Sequence, residues 1–446
     1  MSKKEIFKSK CLYLDHEGKG VVKYHNKNLS VPYLMPGEKA KIELIKKRKE
    51  DEINILEIKN ESNDAIEPKC EYYFECGACH LQHMKYKAQL RYKEKEVERS
   101  LYKFGKINPI IKMDNPYDYR NKVHSTFAET KKGKIVSGLY KENTHSIVPI
   151  DRCIIQDPKA DEILKTIRKI FKKNKMHMYN EYTNKGFLRH VLIRTGFNSG
   201  EVMVVFVVAH NRFHSKNKII KELLNKHPEI STIIMNINNK DTSMILGEKE
   251  KVLYGNGKIL DKLCGLEFLI SPKSFYQVNP IQTKKLYEKA IEFANISDKD
   301  IVLDAYCGIG TIGLLAAQKA NKVYGVEINE SAINNARKNA KLNSIKNIDF
   351  FKADASDFIK DLVKENYPVD IVFLDPPRSG SDKFFLSSVV KLSPKRIVYI
   401  SCNPKTQKRD LKYLNKNNYR VTKIQPVDLF PQTYHVENIC LLEKID

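Results

Sequence analysis

Cys402 and Asp375 are the residues of this chain best placed to do chemistry, because each directly follows an apolar run that predicts a β-strand. Cys402 lies in the segment Arg396-Ile-Val-Tyr-Ile-Ser-Cys-Asn-Pro404, and Asp375 lies in the preceding loop Leu374-Asp-Pro-Pro-Arg378. Ligands of open α/β sheets bind at the carboxyl ends of the strands. A thiol at that edge is either a nucleophile or a packing residue, and the surrounding motifs decide between the two.

A glycine-rich loop, Asp304-Ala-Tyr-Cys-Gly-Ile-Gly-Thr-Ile-Gly313, follows an earlier strand of the same region and opens a helix. Glycines let the backbone approach a ligand closely, and Glu327, at the end of the next strand, can accept hydrogen bonds from ribose hydroxyls. The glycine spacing alone fits both NAD and S-adenosylmethionine. The acidic Asp304 favours S-adenosylmethionine, because that ligand is cationic and lacks a pyrophosphate.

A thiol beside a methyl donor indicates chemistry at a carbon atom. Carbon 5 of uracil is too weak a nucleophile to attack a sulfonium methyl group, but a thiolate that adds to carbon 6 makes it an enolate. A base must then remove the carbon 5 proton, and Glu437 is the candidate. The alternative is methylation of an amino group, which suits Asp-Pro-Pro followed by an aromatic residue. Here Arg378 takes that place and weakens the alternative.

A second cluster of chemically active side chains lies in the first third of the chain and predicts a metal centre. Three cysteines fall within ten residues and a fourth lies far downstream: Cys70, Cys76, Cys79 and Cys153. Four thiolates suit tetrahedral zinc or an iron–sulfur cluster. His80 and His83 are alternative fourth ligands, so spacing does not select Cys153.

The elements that position these residues predict two or three domains in the 446-residue chain. Five short strands within residues 1–62 indicate a small β-barrel, either one that binds oligonucleotides or a plain structural one. Residues 63–262 predict a central α+β domain. Residues 263–446 alternate strand, loop and helix, which predicts a doubly wound, Rossmann-like α/β domain.

Composition adds a partner and a compartment. The formal net charge of +24 indicates a polyanionic partner, most commonly nucleic acid. No apolar run has membrane-spanning length, and the start lacks the apolar stretch of a signal peptide. Nine cysteines at irregular spacings fit a reducing compartment. We therefore expect a cytoplasmic protein with no membrane association.

Taken together, these motifs resemble the RNA uracil-5-methyltransferase family of the RumA/TrmA type. The resemblance runs nearly end to end and is carried by the TRAM-like barrel, the cysteine cluster, Ser274-Phe-Tyr-Gln-Val-Asn279, Asp304-x-Tyr-Cys-Gly-x-Gly-Thr311, Leu374-Asp-Pro-Pro-Arg378, Ser401-Cys-Asn-Pro404 and His435-Val-Glu437. It implies a class I methyltransferase domain in which Cys402 is the nucleophile and Glu437 the proton acceptor.

The same resemblance implies the ligands. S-adenosylmethionine would be bound by Gln277, Tyr306, Glu327 and Asp375. A 4Fe-4S cluster would be held by Cys70, Cys76, Cys79 and Cys153 and would serve folding or RNA binding. The helix near residues 81–104 is expected to pack on the catalytic domain.

The expected partner is RNA, acted on by a monomer. The barrel and the cluster together resemble the 23S rRNA branch more than the bacterial tRNA branch, so 23S rRNA is favoured and tRNA is the alternative. The target base is expected to leave its stack. Candidate RNA contacts are Phe275 or Tyr276, Arg120 and Arg378. A non-catalytic iron–sulfur RNA-binding factor is the alternative of a different class.

Overall fold

The computed structural model describes residues 4–47, 51–142, 144–242 and 244–445. Its first unit is a five-stranded antiparallel sheet in the order β3-β2-β1-β4-β5. The strands are β1 (Lys4–Leu14), β2 (Gly20–Tyr24), β3 (Lys27–Val31), β4 (Lys39–Ile45) and β5 (Glu52–Lys59). The long β1 pairs with both β2 and β4 and so joins the two halves around a small apolar core. The barrel-like N-terminal sheet predicted from the sequence is thus confirmed.

Helix α1 (Tyr86–Leu101) follows a segment of turns that carries Cys70, Cys76 and Cys79. Its composition is polar, but one face is buried. Val97 and Leu101 pack into the same apolar core as residues of the C-terminal sheet. Helix α1 therefore lies against the sheet that carries Cys402.

The middle of the chain forms a seven-stranded sheet in the order β12-β11-β10-β9-β6-β7-β8. Its elements are β6 (Lys122–Glu129), β7 (Ile135–Tyr140), β8 (Ile147–Pro149), α2 (Pro158–Lys173), β9 (Leu188–Thr195), β10 (Val202–Val208), α3 (Lys216–Lys226), β11 (Ile230–Ile237) and β12 (Lys249–Tyr254). Helices α2 and α3 cover one face with an apolar core. Because side chains alternate along a strand, the residues between those core positions point to the opposite face.

A hairpin of β13 (Ile259–Leu263) and β14 (Leu266–Ile270) follows, and then α4 (Pro280–Ala294). The domain boundary expected after residue 262 falls within this hairpin and stays a prediction. Asn279 begins α4 by accepting a hydrogen bond from the Gln282 amide, with Pro280 at the first helical position.

The C-terminal sheet has seven strands in the order β17-β16-β15-β18-β19-β21-β20. Its elements are β15 (Ile301–Ala305), α5 (Thr311–Ala317), β16 (Lys322–Glu327), α6 (Glu330–Leu342), β17 (Ile348–Lys352), α7 (Ala355–Lys364), β18 (Ile371–Leu374), α8 (Lys383–Leu392), β19 (Arg396–Ser401), α9 (Pro404–Asn415), β20 (Tyr419–Val427) and β21 (Glu437–Lys444). Strands β15–β19 are parallel, and helices cover both faces. The predicted doubly wound α/β fold is confirmed.

Strand β21 is inserted antiparallel between β19 and β20, so its first residue lies at the edge where the parallel strands end. Asn438 of β21 is directly opposite Ser401 of β19. This insertion brings Glu437 to the same edge as Cys402. Within the described residues, none of the helices combines the length and the apolar character needed to cross a membrane.

Candidate active site

Three predicted catalytic or binding residues meet at the carboxyl edge of the C-terminal sheet. Asp375 directly follows β18, Cys402 directly follows β19, and Glu437 is the first residue of β21. The three side chains are close neighbours: Glu437 and Asp375 raise the pKa of Cys402, and Asp375 raises the pKa of Glu437. The sequence positions are 62 residues apart or less, and only the sheet order makes them neighbours.

The backbone around Cys402 is fixed by its own neighbours. Asn403 accepts a hydrogen bond from the Lys405 amide and thereby begins α9, with Pro404 at the first helical position. The Asn403 amide in turn donates to Ser401 Oγ at 3.1 Å. The Ser-Cys-Asn-Pro sequence therefore forms a capped turn that holds the half-buried thiol at the end of its strand.

Cys402 opens into a cleft of about 310 Å³. The cleft is lined from three parts of the chain: His16, Glu17, Glu96, Ser100, Arg378, Cys402, Asn403, Pro404, Lys405, Tyr434, His435 and Val436. The turn after β1 and one face of α1 thus form the wall opposite the thiol. The cleft thus lies between the turn after β1, helix α1 and the edge of the C-terminal sheet.

The charges around Cys402 act in opposite directions. Burial, followed by the charge of Glu437, raises the pKa of its thiol, which is about 11 once all neighbouring groups have acted. Arg378 acts the other way, through its charge and a hydrogen bond, and lowers the pKa. The thiol form therefore predominates at neutral pH, and Arg378 is the only group among these that favours the thiolate.

The carboxyl groups at this edge are buried together. Burial raises the pKa of Asp375 to about 7, although the residue as a whole is only half-buried. Burial, followed by the charge of Asp375, raises the pKa of Glu437 well above its ordinary value, and Arg378 opposes this effect. Two buried carboxyls that resist ionisation favour a cationic ligand between or beside them.

Arg378 and His435 form a pair that sequence reasoning missed. Arg378 Nη2 lies 2.7 Å from His435 Nδ1, across the mouth of the cleft. Burial and the nearby guanidinium lower the pKa of His435 to about 3, so its ring is neutral at pH 7. The sequence gives His435 only as part of the motif His435-Val-Glu437, and the pair could not be predicted because the contact joins loops 57 residues apart.

The glycine-rich loop after β15 forms an open crevice beside the same edge. Gly308 and Gly310 have φ angles of +56° and +85°, and a Cβ at Gly308 would meet no atom within 4 Å. Asp304 does not face this crevice: it is 1% exposed and accepts a hydrogen bond from the Gly313 amide at 2.7 Å. Its predicted part in favouring a cationic ligand is therefore indirect, through the shape of the turn and its charge.

The residues predicted to bind the cofactor lie in four different loops and strand ends. Glu327 ends β16 and accepts hydrogen bonds from the amides of Gly308, at 3.3 Å, and Asn329, at 2.8 Å. Tyr306 has an unusual φ of +71°, and its ring packs 5.3 Å from that of Phe385. The half-buried Gln277 lies in the loop before α4, where its carbonyl accepts a hydrogen bond from Asn121.

The cysteines predicted to bind a metal lie in one region of the molecule. Burial raises the pKa of every thiol in the set Cys70, Cys76, Cys79 and Cys153. Cys70 also raises the pKa of the other three thiols, and Cys76 raises the pKa of Cys79 and Cys153. The four thiols are therefore electrostatic neighbours. Among the described residues, however, no three His, Cys, Asp or Glu side chains converge as metal ligands. The four cysteines are thus gathered but not arranged as a ligand set.

The carboxamide of Gln82 lies among these cysteines and has no partner. Gln82 is 5% exposed, and neither its Nε2 nor its Oε1 makes a hydrogen bond of ordinary geometry. It is nevertheless close enough to the thiols of Cys70 and Cys79 to lower their pKa slightly. A buried amide without a partner beside four thiols fits a group that would accept its hydrogen bond.

A buried network that the sequence did not predict joins α1 to the loop before Glu437. Lys93 and Asp428 are both fully buried, and Lys93 Nζ lies 2.5 Å from Asp428 Oδ1. Lys93 also donates to the Phe430 carbonyl at 2.9 Å, and Tyr86 donates to Asp428 Oδ2 at 2.6 Å. Burial lowers the pKa of Lys93, and Asp428 opposes this effect. The loop that leads to His435 and Glu437 is thus held by α1.

Basic side chains without carboxylate partners lie next to the active site, on β6, β9 and the segment before β6. Arg194 is 2% exposed and donates to the carbonyls of Pro272 and Ser274. Lys122 is its partner across the strands, and burial and nearby arginines lower the Lys122 pKa to about 8. Arg120 is near enough to His435 to lower its pKa. In the described part of the chain, none of these three cations forms a salt bridge.

Comparison with known proteins places this geometry in a family. A family model described as tRNA (Uracil-5-)-methyltransferase matches residues 85–445. An uncharacterized RNA methyltransferase of Oceanobacillus iheyensis is 41% identical over 450 residues, which cover 99% of this chain and 97% of that one. One of Clostridium acetobutylicum is 42% identical over 446 residues, covering 98% and 97%.

A solved structure gives the same result at the level of the fold. The tRNA (uracil-54, C5)-methyltransferase of Pyrococcus abyssi, in complex with S-adenosyl-L-homocysteine, is 27% identical and superposes with a TM-score of 0.79. The alignment covers 97% of this chain and 99% of that one. The chain belongs to the tRNA (uracil-5-)-methyltransferase family, whose members are RNA-modifying enzymes that use S-adenosylmethionine.

Proposed function

We propose that this protein methylates carbon 5 of a uridine in structured RNA, with Cys402 as nucleophile and Glu437 as base. The observation that carries the proposal is the meeting of a thiol and two buried carboxyls at one sheet edge, beside a glycine-rich crevice. S-adenosylmethionine, when bound there, supplies an electrophilic methyl group. The chain's own residues then make the uracil carbon nucleophilic and remove its proton.

The first task falls to Cys402. Its thiolate adds to carbon 6 of the uracil ring, which forms an Sγ–C6 bond and moves electron density to carbon 5 and the carbon 4 oxygen. Arg378, which lowers the pKa of the thiol, is placed to stabilise the thiolate. Carbon 5 gains its methyl group while the ring is held by the covalent bond to Cys402.

The second task falls to Glu437. Carbon 5 of the adduct carries both the new methyl group and its original proton, and that proton must leave before the Sγ–C6 bond can break. The raised pKa of the Glu437 carboxyl makes its ionised form a stronger base than an exposed glutamate. Loss of the proton restores the ring double bond and expels the Cys402 thiolate, which regenerates the enzyme.

The crevice supports S-adenosylmethionine as the donor. Glu327 is placed to receive ribose hydroxyls, and Ile328 beside it is 69% exposed and offers an apolar contact to an adenine ring. Tyr306 and Gln277 would complete the binding site, as the family resemblance implies, and Asp375 would supply a carboxyl for the cationic end of the ligand. These assignments extend the family's cofactor to named residues of this chain.

Covalent trapping tests the roles of the two catalytic residues. RNA that contains 5-fluorouridine should form a stable adduct with the wild-type protein, because the base cannot abstract fluorine from carbon 5. Cys402→Ala should form none, while Cys264→Ala, a change of a half-buried cysteine outside the site, should behave as wild type. Glu437→Gln should methylate and then remain bound to its product. Full turnover by either Cys402→Ala or Glu437→Gln would overturn the mechanism.

The favoured substrate is 23S rRNA, because an N-terminal barrel and a cysteine cluster together resemble the rRNA branch. Transfer RNA is the second candidate, because the Pyrococcus abyssi enzyme, named for a tRNA position, aligns with 97% of this chain, including the N-terminal sheet. That sheet therefore does not separate the two substrates. Methylation of unmodified 23S rRNA and tRNA transcripts in parallel, with the product nucleoside and its position mapped, decides between them and also excludes amino-group methylation.

We also propose a 4Fe-4S cluster on Cys70, Cys76, Cys79 and Cys153. The chemistry of the donor set supports it, since four thiols are electrostatic neighbours and two of them lie beside the buried Gln82 amide, which makes no hydrogen bond of ordinary geometry. The cluster would serve structure, because the backbone amides of His80 and Leu81 both donate to the Gln432 carbonyl in the loop before Glu437. Metal analysis of anaerobically purified protein should find about four irons per chain, and Cys76→Ser should lose them. Zinc instead of iron would refute the cluster.

A further inference from the structure

A pocket of about 260 Å³ lies on the central sheet, away from Cys402. It sits beside the ends of β6 and β7, and none of the proposed catalytic, cofactor or cysteine residues lines it. Its walls come from the side chains of Thr126, Tyr140, His145, Tyr179, Glu181, Tyr182, Arg189 and His190, among others. The mechanism above leaves this pocket without a role.

The strand register connects the pocket to the basic residues near the active site. Lys122 is opposite Arg194, and Thr126 is opposite His190, so all four project from the same face of the sheet. Four residues of strand separate Lys122 from Thr126, a distance of about 14 Å at roughly 3.4 Å per residue. One face of β6 and β9 therefore leads from unpaired cations beside the active site to the pocket.

Tyrosine rings form the walls of the pocket. Tyr179 is half-buried and lies with its ring 4.7 Å from the Arg189 guanidinium, a cation–π contact. Tyr140 is half-buried on the opposite strand, with its ring 5.7 Å from that of His145. Tyr182 stands at the mouth with 92% of its surface exposed. Aromatic rings around a cavity of this size are the usual means of stacking an unpaired nucleobase.

Arg189 lies against the Tyr179 ring and is fixed there by hydrogen bonds to the backbone. It is 7% exposed, and its Nη1 donates to the carbonyls of Asn238 and Lys240, each at 2.9 Å. Its Nε is buried and has no hydrogen-bond partner. A buried guanidinium that still has a free donor indicates that the pocket is built to accept an additional polar group.

The carboxylates of the pocket identify the kind of group. Glu129 is occupied, because it accepts a hydrogen bond from the Met178 amide at 3.3 Å and pairs with His177. Glu181 is held only by long contacts, 3.4 Å from the Tyr140 hydroxyl and 3.5 Å from His145 Nδ1. A phosphate would be repelled by both carboxylates. The edge of a base that carries amino or imino hydrogens would instead be bound by Glu181.

We propose that this pocket binds one unstacked nucleobase of the RNA substrate, a base distinct from the uridine at Cys402, with its N–H edge toward Glu181 and its face against Tyr179. The inference rests on the proposed function for the identity of the RNA. It adds a second recognition point, which selects a nucleotide at a set distance from the target.

Binding measurements with fluorescently labelled 23S rRNA and tRNA transcripts test the pocket. Tyr179→Ala and Tyr182→Ala should each weaken binding of the transcript that serves as substrate. The expected loss of affinity is about 5- to 100-fold, the range that loss of one aromatic–base stack produces. Tyr179→Phe should retain affinity, since stacking needs only the ring. Tyr254→Ala, which changes an exposed tyrosine at the far edge of the same sheet, is the matched control and should leave affinity unchanged.

The sign of the Glu181→Gln effect separates the two kinds of occupant. A base edge that donates to the carboxylate loses affinity when the charge is removed, whereas a phosphate gains affinity. Tighter binding by Glu181→Gln, or wild-type binding by both Tyr179→Ala and Tyr182→Ala, would overturn the proposal.

The pocket and the proposed function fail in different ways. If wild-type protein methylates uridine but the pocket variants bind RNA normally, only the pocket proposal fails. If no uridine is methylated at carbon 5 while Tyr179→Ala still weakens RNA binding relative to Tyr254→Ala, the proposed reaction fails and the pocket stands. Ultraviolet crosslinking adds a direct readout: the pocket tyrosines should crosslink to a nucleotide other than the target.

Discussion

Replacing Lys93 with methionine should loosen the loop that leads to Glu437 without touching the active site. The change removes an ammonium group that makes two hydrogen bonds, to Asp428 Oδ1 at 2.5 Å and to the Phe430 carbonyl at 2.9 Å. Asp428 stays fully buried with only the Tyr86 hydroxyl to stabilise its charge. Removing one partner of a buried ion pair costs about 3–5 kcal/mol, so the free energy of opening of this loop should fall by that amount.

Hydrogen exchange followed by mass spectrometry measures that free energy locally, which suits a chain of several units. Peptides from α1 and residues 428–436 should exchange faster in Lys93→Met and stay unchanged in Lys95→Met, a change at an exposed position of the same helix. The double variant Lys93→Met/Asp428→Asn should be less destabilised than the sum of the single changes by about 1–3 kcal/mol.

The same variant separates positioning from chemistry. Cys402 directly follows β19, and Lys93 is not among the groups that affect its pKa, so the 5-fluorouridine adduct should still form. Turnover should fall, because the loop that leads to Glu437 is no longer held in place. An opening free energy within 1 kcal/mol of wild type, or additive effects in the double variant, would show that the buried pair does not fix this loop.

Three further predictions follow from groups of the active site. Because the pKa of Asp375 is about 7, its ionised fraction rises roughly tenfold from pH 6 to pH 8. Over that range, the affinity for S-adenosylmethionine, measured by calorimetry, should rise by up to that factor relative to the affinity for neutral S-adenosylhomocysteine. A constant ratio of the two affinities would contradict the assignment. The pKa of about 11 for Cys402 means that adduct formation should accelerate about tenfold per pH unit between pH 7 and 9; a flat profile would show that the thiolate is already formed. Gly310→Ala should weaken cofactor binding more than Gly308→Ala. Both substitutions cost about 1–2 kcal/mol because the backbone φ is positive, but only a Cβ at position 310 would clash with Phe350, at 2.8 Å. Equal affinities of the two variants in calorimetry would contradict this.

The residues at strand ends could be predicted from the sequence because their signals are local. An apolar run followed by Asp-Pro-Pro or Ser-Cys-Asn-Pro gives both the strand and the turn, and parallel strands of one sheet end at one edge. That reasoning was sufficient for Asp375 and Cys402. Glu437 could be named as a candidate base, but its place at this edge could not be predicted locally, since its strand runs in the opposite direction and joins the sheet between two strands that are earlier in the chain.

Other parts of the site depend on distant contacts that no local pattern contains. Lys93 lies in a helix of polar composition, and nothing in that composition distinguishes it from the exposed Lys95. The Arg378–His435 pair joins two loops that meet only after the sheet is complete. The cysteines show the converse limit, because residue type predicts a metal while the described structure shows no convergent ligand set.

The packing of α1 on the C-terminal sheet also limits which fragments of this enzyme could fold. A fragment that began at the catalytic sheet would lose Val97 and Leu101 from its core and leave Asp428 without its counter-ion. The smallest portable unit is therefore set by the helix rather than by the sheet, and the family match begins at residue 85, one residue before α1. A fusion of the catalytic domain to another RNA-binding protein must therefore include helix α1.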